Sequence, residues 1–333
     1  MPVLHTSAGA AVSPIVPLHR RRVAVVGAGF LGMRIAAQAV DRGLHTSVLA
    51  RRPVVDSRLV SARARILVGD AADPRAIDRL LSRPAHVVYC AGGRLPTDSI
   101  DDPGGDAVGT LAPLLCLLEA LRRHPGSRLT LLSSGGTVYG RPEAEPVDED
   151  HACRPLVPYG VSRLSAEHYA RLYGELHAVP VRILRLANVY GPSQPSNRPQ
   201  GVVATLLAAA GTGEPVQIWG TGRVARDFIH VDDVADVVFR LPESGGPEVL
   251  NVGTGIASTL WEVVETVERV TGRTLRLSMQ PPRAFDIERI ALSSQRLSAL
   301  IPFSPMDLEH GLSATWAASR FAAAADDAAA RSL

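Results

Sequence analysis

The sequence predicts an α/β fold with a parallel, doubly wound sheet and a smaller C-terminal lobe. Short apolar segments such as residues 23–26 and 129–134 alternate with segments of helical spacing, and a glycine-rich turn separates the first strand from the first helix. Almost wholly apolar strands are typical of a parallel sheet covered by helices on both faces. A chain of 333 residues with 46% hydrophobic content is long for one domain and short for two, which favours one domain plus a lobe.

Composition limits the classes of partner. The formal net charge is only +2, with 35 Lys and Arg against 33 Asp and Glu spread along the chain, so we expect neither a nucleic-acid partner nor a membrane partner. Three cysteines without a CxxC pair indicate a reducing, cytoplasmic setting, and we expect no metal site. No apolar run reaches the roughly 18 residues of a membrane span, because Pro113 and Glu119 interrupt residues 110–121.

A glycine turn between the first strand and the first helix predicts a dinucleotide site. The strand at residues 23–26 leads into a GxGxxG segment, after which residues 33–40 are predicted to form a helix that ends near Gly43. Glycines let the backbone approach a pyrophosphate, whose charge then lies at the helix N-terminus. The residues of this turn that would bind the cofactor are Gly27, Gly29, Phe30, Leu31 and Gly32. The alternative is an ordinary tight turn.

The end of the second strand, residues 45–49, bears on the choice of dinucleotide. An acidic residue there would hydrogen-bond the ribose hydroxyls of NAD, whereas this chain has Ala50, Arg51 and Arg52. Guanidinium groups favour a 2′-phosphate, so these residues favour NADP(H) over NAD(H). The alternative is that Arg51 and Arg52 simply face solvent.

Two further strand ends are predicted to meet the cofactor. The third strand is predicted to end at Asp70, next to Ala71, where the carboxylate is placed to contact the adenine or, as the alternative, to cap the next helix. The fourth strand is predicted to end at Ala91, and Gly92 follows it. The missing side chain of Gly92, next to the small one of Ala91, would let the cofactor lie close to the backbone.

The helix predicted at residues 111–122 is apolar on more than one face. Contact with a single sheet requires only one apolar face. The extra leucines of this helix therefore predict a homodimer interface, with deep burial inside one chain as the alternative.

The stretch from residue 130 to residue 163 contains the predicted catalytic residues. Hydroxyl side chains end its strand, and ligands bind at the carboxyl ends of parallel strands. Tyr159 and Arg163 are four residues apart in a segment of helical spacing after Pro158, so they share a helix face. A neighbouring cation favours the phenolate form of a tyrosine, which suits a general acid/base for an alcohol or ketone. The alternative is a core tyrosine and a surface arginine.

The later part of the chain is less regular. A strand at residues 181–186 opens into a loop rich in Pro, Ser and Asn that reaches Gln200, and beyond it the strand–helix alternation becomes irregular. We therefore assign residues 1–20 to a loose leader and residues 21–192 mainly to a dinucleotide-binding Rossmann domain. Residues 193–333 are assigned mainly to a substrate-binding lobe, with some segments returning to the sheet.

Several motifs occur in a specific order. They are the glycine turn, Ser-Ser-Gly-Gly-Thr-Val-Tyr-Gly at 133–140, Tyr159 in Pro-Tyr-Gly-x-Ser, Leu-Arg-Leu-Ala-Asn-Val-Tyr-Gly-Pro at 184–192, Arg-Asp-Phe-Ile-His-Val-Asp-Asp at 226–233 and Asn-Val-Gly-Thr-Gly at 251–255. Together they resemble the extended short-chain dehydrogenase/reductases of the NAD-dependent epimerase/dehydratase family, which act on nucleotide sugars. Gln-Gly-Val at 200–202 and Arg-x-Phe-Asp at 283–286 are similar to a branch of UDP-glucose 4-epimerase-like enzymes.

The resemblance implies a cofactor, a substrate and a set of contacts. It favours NAD as the cofactor and a nucleotide sugar as the substrate, with Tyr159 as the acid/base on a sugar hydroxyl. The implied substrate-binding residues are Thr137, Asn188, Val202, Arg226, Arg283 and Asp286. Among them, Arg226 and Arg283 would hold the diphosphate, a role that suits bidentate guanidinium groups.

Two positions in the catalytic stretch depart from the family pattern. Arg163 stands where the family usually has a lysine. The arginine keeps the positive charge and can still reach a ribose, but its guanidinium fork has a different geometry and cannot shuttle a proton. Gly135 replaces a residue with a hydroxyl group. The hydrogen bond to the substrate oxygen is therefore expected from Thr137, or else from Ser134 or Ser133.

These observations predict an enzyme and leave its reaction open. On resemblance we expect a nucleotide-sugar epimerase that acts at C4 by hydride transfer. The Ala50-Arg51 sequence favours instead an NADPH-dependent 4-ketoreductase of a deoxysugar pathway. A dehydratase is disfavoured, because relatives with that activity place an Asp-Glu pair where this chain has Gly136-Thr137. A non-catalytic protein that binds the dinucleotide and the sugar is the alternative of another class, since both departures would then record lost chemistry.

Overall fold

The structure, a computed structural model, describes residues 22–54, 56–92, 94–196, 201–242, 248–283 and 286–330. The predicted leader at residues 1–20 and the end of the predicted loop at residues 197–200 lie outside them. The strands are β1 (Arg22–Val26), β2 (His45–Ala50), β3 (Arg65–Val68), β4 (His86–Tyr89), β5 (Arg128–Ser134), β6 (Val181–Leu186), β7 (Asn188–Tyr190), β8 (Val216–Trp219), β9 (Ala225–His230), β10 (Val249–Val252), β11 (Ala257–Thr259), β12 (Leu277–Gln280) and β13 (Arg289–Ile290). The helices are α1 (Phe30–Asp41), α2 (Ser57–Ser61), α3 (Pro74–Leu80), α4 (Pro96–Asp101), α5 (Pro103–Arg123), α6 (Gly135–Val138), α7 (Pro158–His177), α8 (Val202–Thr212), α9 (Val231–Arg240), α10 (Leu260–Thr271), α11 (Gln295–Ser298) and α12 (Leu308–Ala330).

Seven parallel strands form the main sheet, in the order β10-β6-β5-β4-β1-β2-β3. One buried cluster joins this sheet to α1 and α9 through Ile35 and Val234. A second cluster joins it to α3, α5 and α7 through Ile77, Leu117 and Ala166. Because both faces are covered by helices, the predicted doubly wound α/β fold is confirmed.

The order of the strands reverses direction at β1: β2 and β3 lie on one side of it, and β4, β5 and β6 lie on the other. Ligands of open α/β sheets bind in the crevice outside the carboxyl ends of the strands at such a switch point. The glycine turn follows β1, and the Ala91-Gly92 segment follows β4. Two of the predicted cofactor segments therefore lie side by side at this edge.

Some element boundaries differ from the prediction. β3 ends at Val68 and β4 ends at Tyr89, each two residues before its predicted end, so Asp70 and Ala91 lie in the loops that follow. α1 begins at Phe30, three residues earlier than predicted, so the glycine turn runs directly into the helix.

α5 is longer than predicted, because it begins at Pro103, eight residues before its predicted start at residue 111. Pro113 and Glu119 interrupt the apolar run in the sequence but not the helix, because burial of the leucines in the following turns outweighs the one hydrogen bond that a proline removes. By length and composition alone α5 could cross a membrane. It packs against α3 and α7, however, and core packing accounts for its apolar character.

The smaller lobe contains two short sheets. β9 pairs with β7, β11 and β13, while β8 pairs with β12. Its buried side chains include Val203, Val263 and Leu312, which come from α8, α10 and α12. β10 follows β7, β8 and β9 in the chain and yet pairs with β6 in the main sheet.

Candidate active site

The turn between β1 and α1 requires glycine at two positions. Gly27 has φ of +100°, and a Cβ there would lie 2.7 Å from the backbone nitrogen of Ala91. A Cβ on Gly32 would lie 1.8 Å from the carbonyl oxygen of Gly27. The turn is thus packed against the loop after β4 on one side and against its own helix on the other.

Gly29 and the first turn of α1 fit a pyrophosphate. Within the described residues, a Cβ on Gly29 would have no atom within 4 Å. Gly29 is the N-cap of α1, and no side chain caps this helix end or places an acid in its first turn. Phe30 and Leu31 begin the helix, where N–H groups lack partners inside the helix and favour an anion. The residues present therefore fit the predicted dinucleotide.

Arg51 and Arg52 follow β2 at the same edge of the sheet. Both are exposed, and neither makes a hydrogen bond or ion pair with the described residues. The two guanidinium groups are thus available to an anionic group such as a ribose phosphate.

Asp70 lies in the loop after β3, next to the buried Ala71. Its Oδ1 accepts a hydrogen bond of 2.8 Å from the backbone of Ala72. Asp73 caps α3, accepting from the backbone N–H of Arg75 at 3.0 Å. The alternative that Asp70 is the helix cap is therefore wrong, and its carboxylate stays at the cofactor edge.

Tyr159 and Arg163 share one face of α7, as predicted. The Arg163 Cζ lies 4.9 Å from the centroid of the Tyr159 ring. The backbone N–H of Tyr159 donates to Ser99 Oγ at 3.1 Å, which ties the start of α7 to α4. Both side chains are half-buried, so the alternative of a core tyrosine and a surface arginine does not describe them.

Arg163 reaches from α7 into the loop after β4. Its Nη1 donates to the carbonyl oxygen of Ala91 at 3.4 Å, and its buried Nε has no partner among the described residues. A Cβ on Gly92 would lie 1.8 Å from Arg163 Nη2, so glycine leaves the space that the guanidinium fork fills. The chain contains no lysine at all, so arginine at this position follows the composition of the whole chain.

Thr137, Asn188 and Tyr159 come together around α6. A Cβ on Gly136 would lie 3.0 Å from Asn188 Oδ1, and a Cβ on Gly160 would lie 2.9 Å from the carbonyl oxygen of Thr137. The exposed Asn188 and the start of α7 both therefore lie close to the backbone of α6.

The hydroxyl groups near α6 differ in their availability. Thr137 Oγ1 donates to the carbonyl oxygen of Ser134 over a long 3.3 Å, and both residues are half-buried. Ser133 is buried and donates to Glu167, so it points away from this group. At Gly135 a Cβ would lie 2.5 Å from Leu292 Cδ1, so the position is filled by a side chain from beyond β13.

A buried polar network behind the catalytic stretch was not predicted. Glu167 accepts from Ser133 Oγ, from Arg185 Nε at 3.0 Å and from Arg185 Nη2 at 2.7 Å. Arg185 Nη1 donates to Tyr139 Oη at 3.1 Å, and Tyr139 donates to Asn251 Oδ1 at 2.7 Å. Burial acts to lower the pKa of Arg185, but its hydrogen bonds to Glu167 outweigh this and raise the pKa. The available signal was an arginine inside the apolar strand β6.

The predicted substrate residues of the lobe lie on several elements. Arg226 Nη1 donates to the carbonyl oxygens of Ala225 at 2.9 Å and Ile287 at 2.6 Å, and burial lowers the pKa of this arginine. The Arg283 Cζ lies 4.1 Å from the centroid of the Trp219 ring. The backbone N–H of Asp286 donates to the carbonyl of Arg283 at 3.2 Å.

Val202 begins α8 and is half-buried. Within the described residues, no hydrogen bond joins Val202, Arg226 or Arg283 to the residues around α6, namely Thr137, Asn188 and Tyr159. The structure therefore brings together the residues of the main sheet edge, whereas the lobe residues keep their own local partners.

Comparison with known proteins decides the family. The sequence profile of the NAD-dependent epimerase/dehydratase family matches residues 23–253 of this chain. This chain belongs to that family. It is therefore an enzyme of a family that uses a nicotinamide dinucleotide, as predicted.

Three relatives illustrate the range of this family. The UDP-glucose 4-epimerase of Mycolicibacterium smegmatis is 30% identical over 307 residues, which cover 88% of this chain and 97% of that protein. The dTDP-4-dehydro-6-deoxy-D-allose reductase of Streptomyces bikiniensis is 29% identical, over 89% of this chain and 95% of that protein. The structure of Thermus thermophilus UDP-glucose 4-epimerase in complex with NAD has a TM-score of 0.82 and 33% identity, over 90% of this chain and 99% of that one.

Proposed function

We propose that this chain is a nucleotide-sugar epimerase that acts at C4 of the sugar. The observation that carries the proposal is the Tyr159–Arg163 pair. It places a phenol under a guanidinium, and the guanidinium contacts the loop after β4, where the cofactor is predicted to bind. The 4-epimerases among the relatives support the choice of reaction. A nucleotide sugar is the substrate class that these relatives share in their names.

In this proposal Tyr159 removes the proton of the sugar hydroxyl and returns it when the configuration is reversed. The Arg163 guanidinium lies over the Tyr159 ring and donates to the loop after β4, which holds the phenol beside the dinucleotide site. Thr137, or Ser134 in its place, donates a hydrogen bond to the reacting oxygen, since its present 3.3 Å bond is long enough to exchange. When bound, the nicotinamide supplies reversible hydride transfer at the sugar carbon.

The lobe supplies the remaining contacts in the proposal. Arg226 uses Nη1 for two carbonyl oxygens, which fixes the guanidinium and leaves its other N–H groups for a diphosphate. Arg283 lies over the Trp219 ring and serves the same diphosphate. Asn188, Val202 and Asp286 surround the sugar and nucleotide.

The test of this function is a turnover experiment followed by NMR. Purified protein, with no added cofactor, is mixed with UDP-glucose, UDP-glucuronate or UDP-N-acetylglucosamine, and the C4 epimer is expected to accumulate to equilibrium. The reductase of Streptomyces bikiniensis supports a second candidate, an NADPH-dependent 4-ketoreductase. Net oxidation of NADPH by a 4-keto sugar, with no epimer formed from any substrate, would favour that reductase instead.

Cofactor choice is tested at Arg51. Two unpaired guanidinium groups after β2 favour NADP, while the NAD complex of the Thermus relative supports NAD. If Arg51 binds a 2′-phosphate, Arg51→Asp is expected to weaken NADP binding about tenfold and to spare NAD, as measured by calorimetry. Arg273→Asp, at an exposed site in the lobe, is the matched control. NAD that copurifies with the protein, or equal losses for both dinucleotides, would contradict the NADP preference.

Gly92 is expected to be required because Arg163 needs its space. Gly92→Ala should displace the guanidinium and lower kcat about 100-fold, the cost typical of a 1 Å misplacement. Adding Arg163→Lys, whose ammonium is narrower than the fork, should recover part of the loss. Gly104→Ala is the control, since its Cβ would meet no described atom within 4 Å. If the double variant is no better than Gly92→Ala, crowding by Arg163 is not the cause.

We also propose a homodimer, although through different residues from those first expected. Four of the six leucines of α5 are buried inside the chain and Leu111 and Leu115 are half-buried, so burial accounts for most of them. Exposed apolar side chains lie instead at Val108 on α5 and at Val161, Leu172 and Leu176 on the adjacent α7. Such a patch on two packed helices fits the same patch on a second copy.

Sedimentation velocity tests this dimer. The chain is expected to sediment as a dimer at micromolar concentration, and Leu172→Glu with Leu176→Glu is expected to give a monomer. Val60→Glu, at an exposed apolar residue on α2, should leave the dimer intact. A monomeric wild-type protein would refute the interface.

We place the protein in the cytoplasm, where its three thiols would stay reduced. Thiol titration of the unfolded protein purified without reductant is expected to find three free groups. A disulfide would argue for an oxidising compartment.

A further inference from the structure

A cavity of about 440 Å³ lies at the opposite edge of the main sheet from the glycine turn. Its walls include Arg22, His45 and Arg65, which are the first residues of β1, β2 and β3. Because these strands are parallel, their first residues lie at the far end of the sheet from the cofactor edge. The cavity is thus distinct from the candidate active site.

The cavity concentrates positive charge. Four arginines line it, namely Arg22, Arg63, Arg65 and Arg83, and no Asp or Glu is among its lining residues. Within the part of the chain that the structure describes, none of the four forms an ion pair with a carboxylate. Residues 1–21 contain no Asp or Glu in their sequence either. Four charges gathered in one place contrast with a net charge of +2 for the whole chain.

The chemistry of the walls selects the kind of anion. Guanidinium groups present N–H forks that match phosphate oxygens in pairs. Arg65 Nη1 also donates to Ser82 Oγ at 3.3 Å, which holds one of the forks against the wall that carries Arg83. Mutual repulsion of four arginines is relieved most by a ligand that carries several negative charges close together. A diphosphate or triphosphate group meets this requirement, whereas a single carboxylate does not.

We propose that this cavity binds a small multiply charged phosphate, either inorganic or as the phosphate tail of a nucleotide. Its residues come from the amino ends of β1, β2 and β3, from the ends of α1 and α3 and from the turns beside them. None of them belongs to the cofactor edge or to the lobe residues, so this site binds its ligand independently of the reaction proposed above.

Calorimetry with inorganic pyrophosphate, and separately with ATP, tests the site. We expect binding that weakens as salt is raised from 50 to 200 mM, because the contacts are ionic. Arg63→Ala with Arg65→Ala should weaken it at least about tenfold, while Arg273→Ala with Arg276→Ala, which removes two exposed lobe arginines, should not. Pyrophosphate and ATP of equal affinity indicate a site for the phosphates alone, whereas tighter ATP binding indicates a nucleotide.

The active site also offers arginines to a diphosphate, so a second variant separates the two sites. Arg226→Ala should leave unchanged the pyrophosphate binding that depends on Arg63 and Arg65, even where it removes binding in the active site. If Arg226→Ala abolishes binding and the Arg63 and Arg65 replacements do not, the anion binds only in the active site and the proposal is overturned. The absence of any binding at millimolar pyrophosphate overturns it as well. Thermal unfolding of each variant shows that the protein remains folded.

Discussion

Tyr159→Phe is expected to lower kcat for epimerisation at least about 100-fold, because general acid/base catalysis by a positioned side chain contributes about that much or more. The ring stays in place in this variant, since the backbone bond to Ser99 and the contact with Arg163 do not involve the hydroxyl. We therefore expect unchanged affinity for the dinucleotide, so that the loss is confined to turnover.

The controls make this result specific. Tyr169→Phe removes an exposed phenol from the same helix and should leave kcat unchanged. A Tyr159→Phe enzyme with wild-type kcat would remove the phenol from the mechanism. A wild-type protein that binds the dinucleotide and the nucleotide sugar but turns over no nucleotide sugar would support the non-catalytic alternative. In that alternative, the arginine at position 163 and the glycine at position 135 mark the loss of catalytic activity.

Glu167→Ala is expected to destabilise the fold by about 3–5 kcal/mol, the range found when one partner of a buried ion pair is removed. The side chains of Glu167 and Arg185 are 2% and 8% exposed. Without the carboxylate, the Arg185 guanidinium would keep its charge and lose the bonds at its Nε and Nη2. Ser133 would lose its acceptor too, so three polar contacts between β5, α7 and β6 disappear together.

Urea denaturation followed by circular dichroism measures this cost. Glu175→Ala removes an exposed carboxylate from the same helix and should change stability by no more than about 0.5 kcal/mol. Glu167→Met combined with Arg185→Met removes both charges and should recover much of the loss, since apolar replacement of a buried pair is often neutral. A loss below about 1 kcal/mol for Glu167→Ala would mean that water reaches Arg185 readily.

Much of the fold follows from local patterns. β6 begins and ends where the apolar run predicts, at Val181 and Leu186. The glycine spacing predicted the turn before α1, because positive φ at Gly27 and the missing Cβ of Gly32 are local demands on the residue type. Boundaries were less certain where a proline or a polar residue follows an apolar run. α5 passes through Pro113 because packing outweighs the local preference.

Spacing alone determined that Tyr159 and Arg163 would meet, because residues four apart lie on the same face of a helix. Only the tertiary structure decided which hydroxyl of the catalytic stretch stays available. Ser133 is consumed by Glu167 from α7, while Thr137 keeps only a long bond to its own turn. The same holds for the arginine-lined cavity, whose walls come from the starts of three strands. Contacts of this kind depend on how distant segments pack, and the spacing of residues within any one segment does not encode that packing.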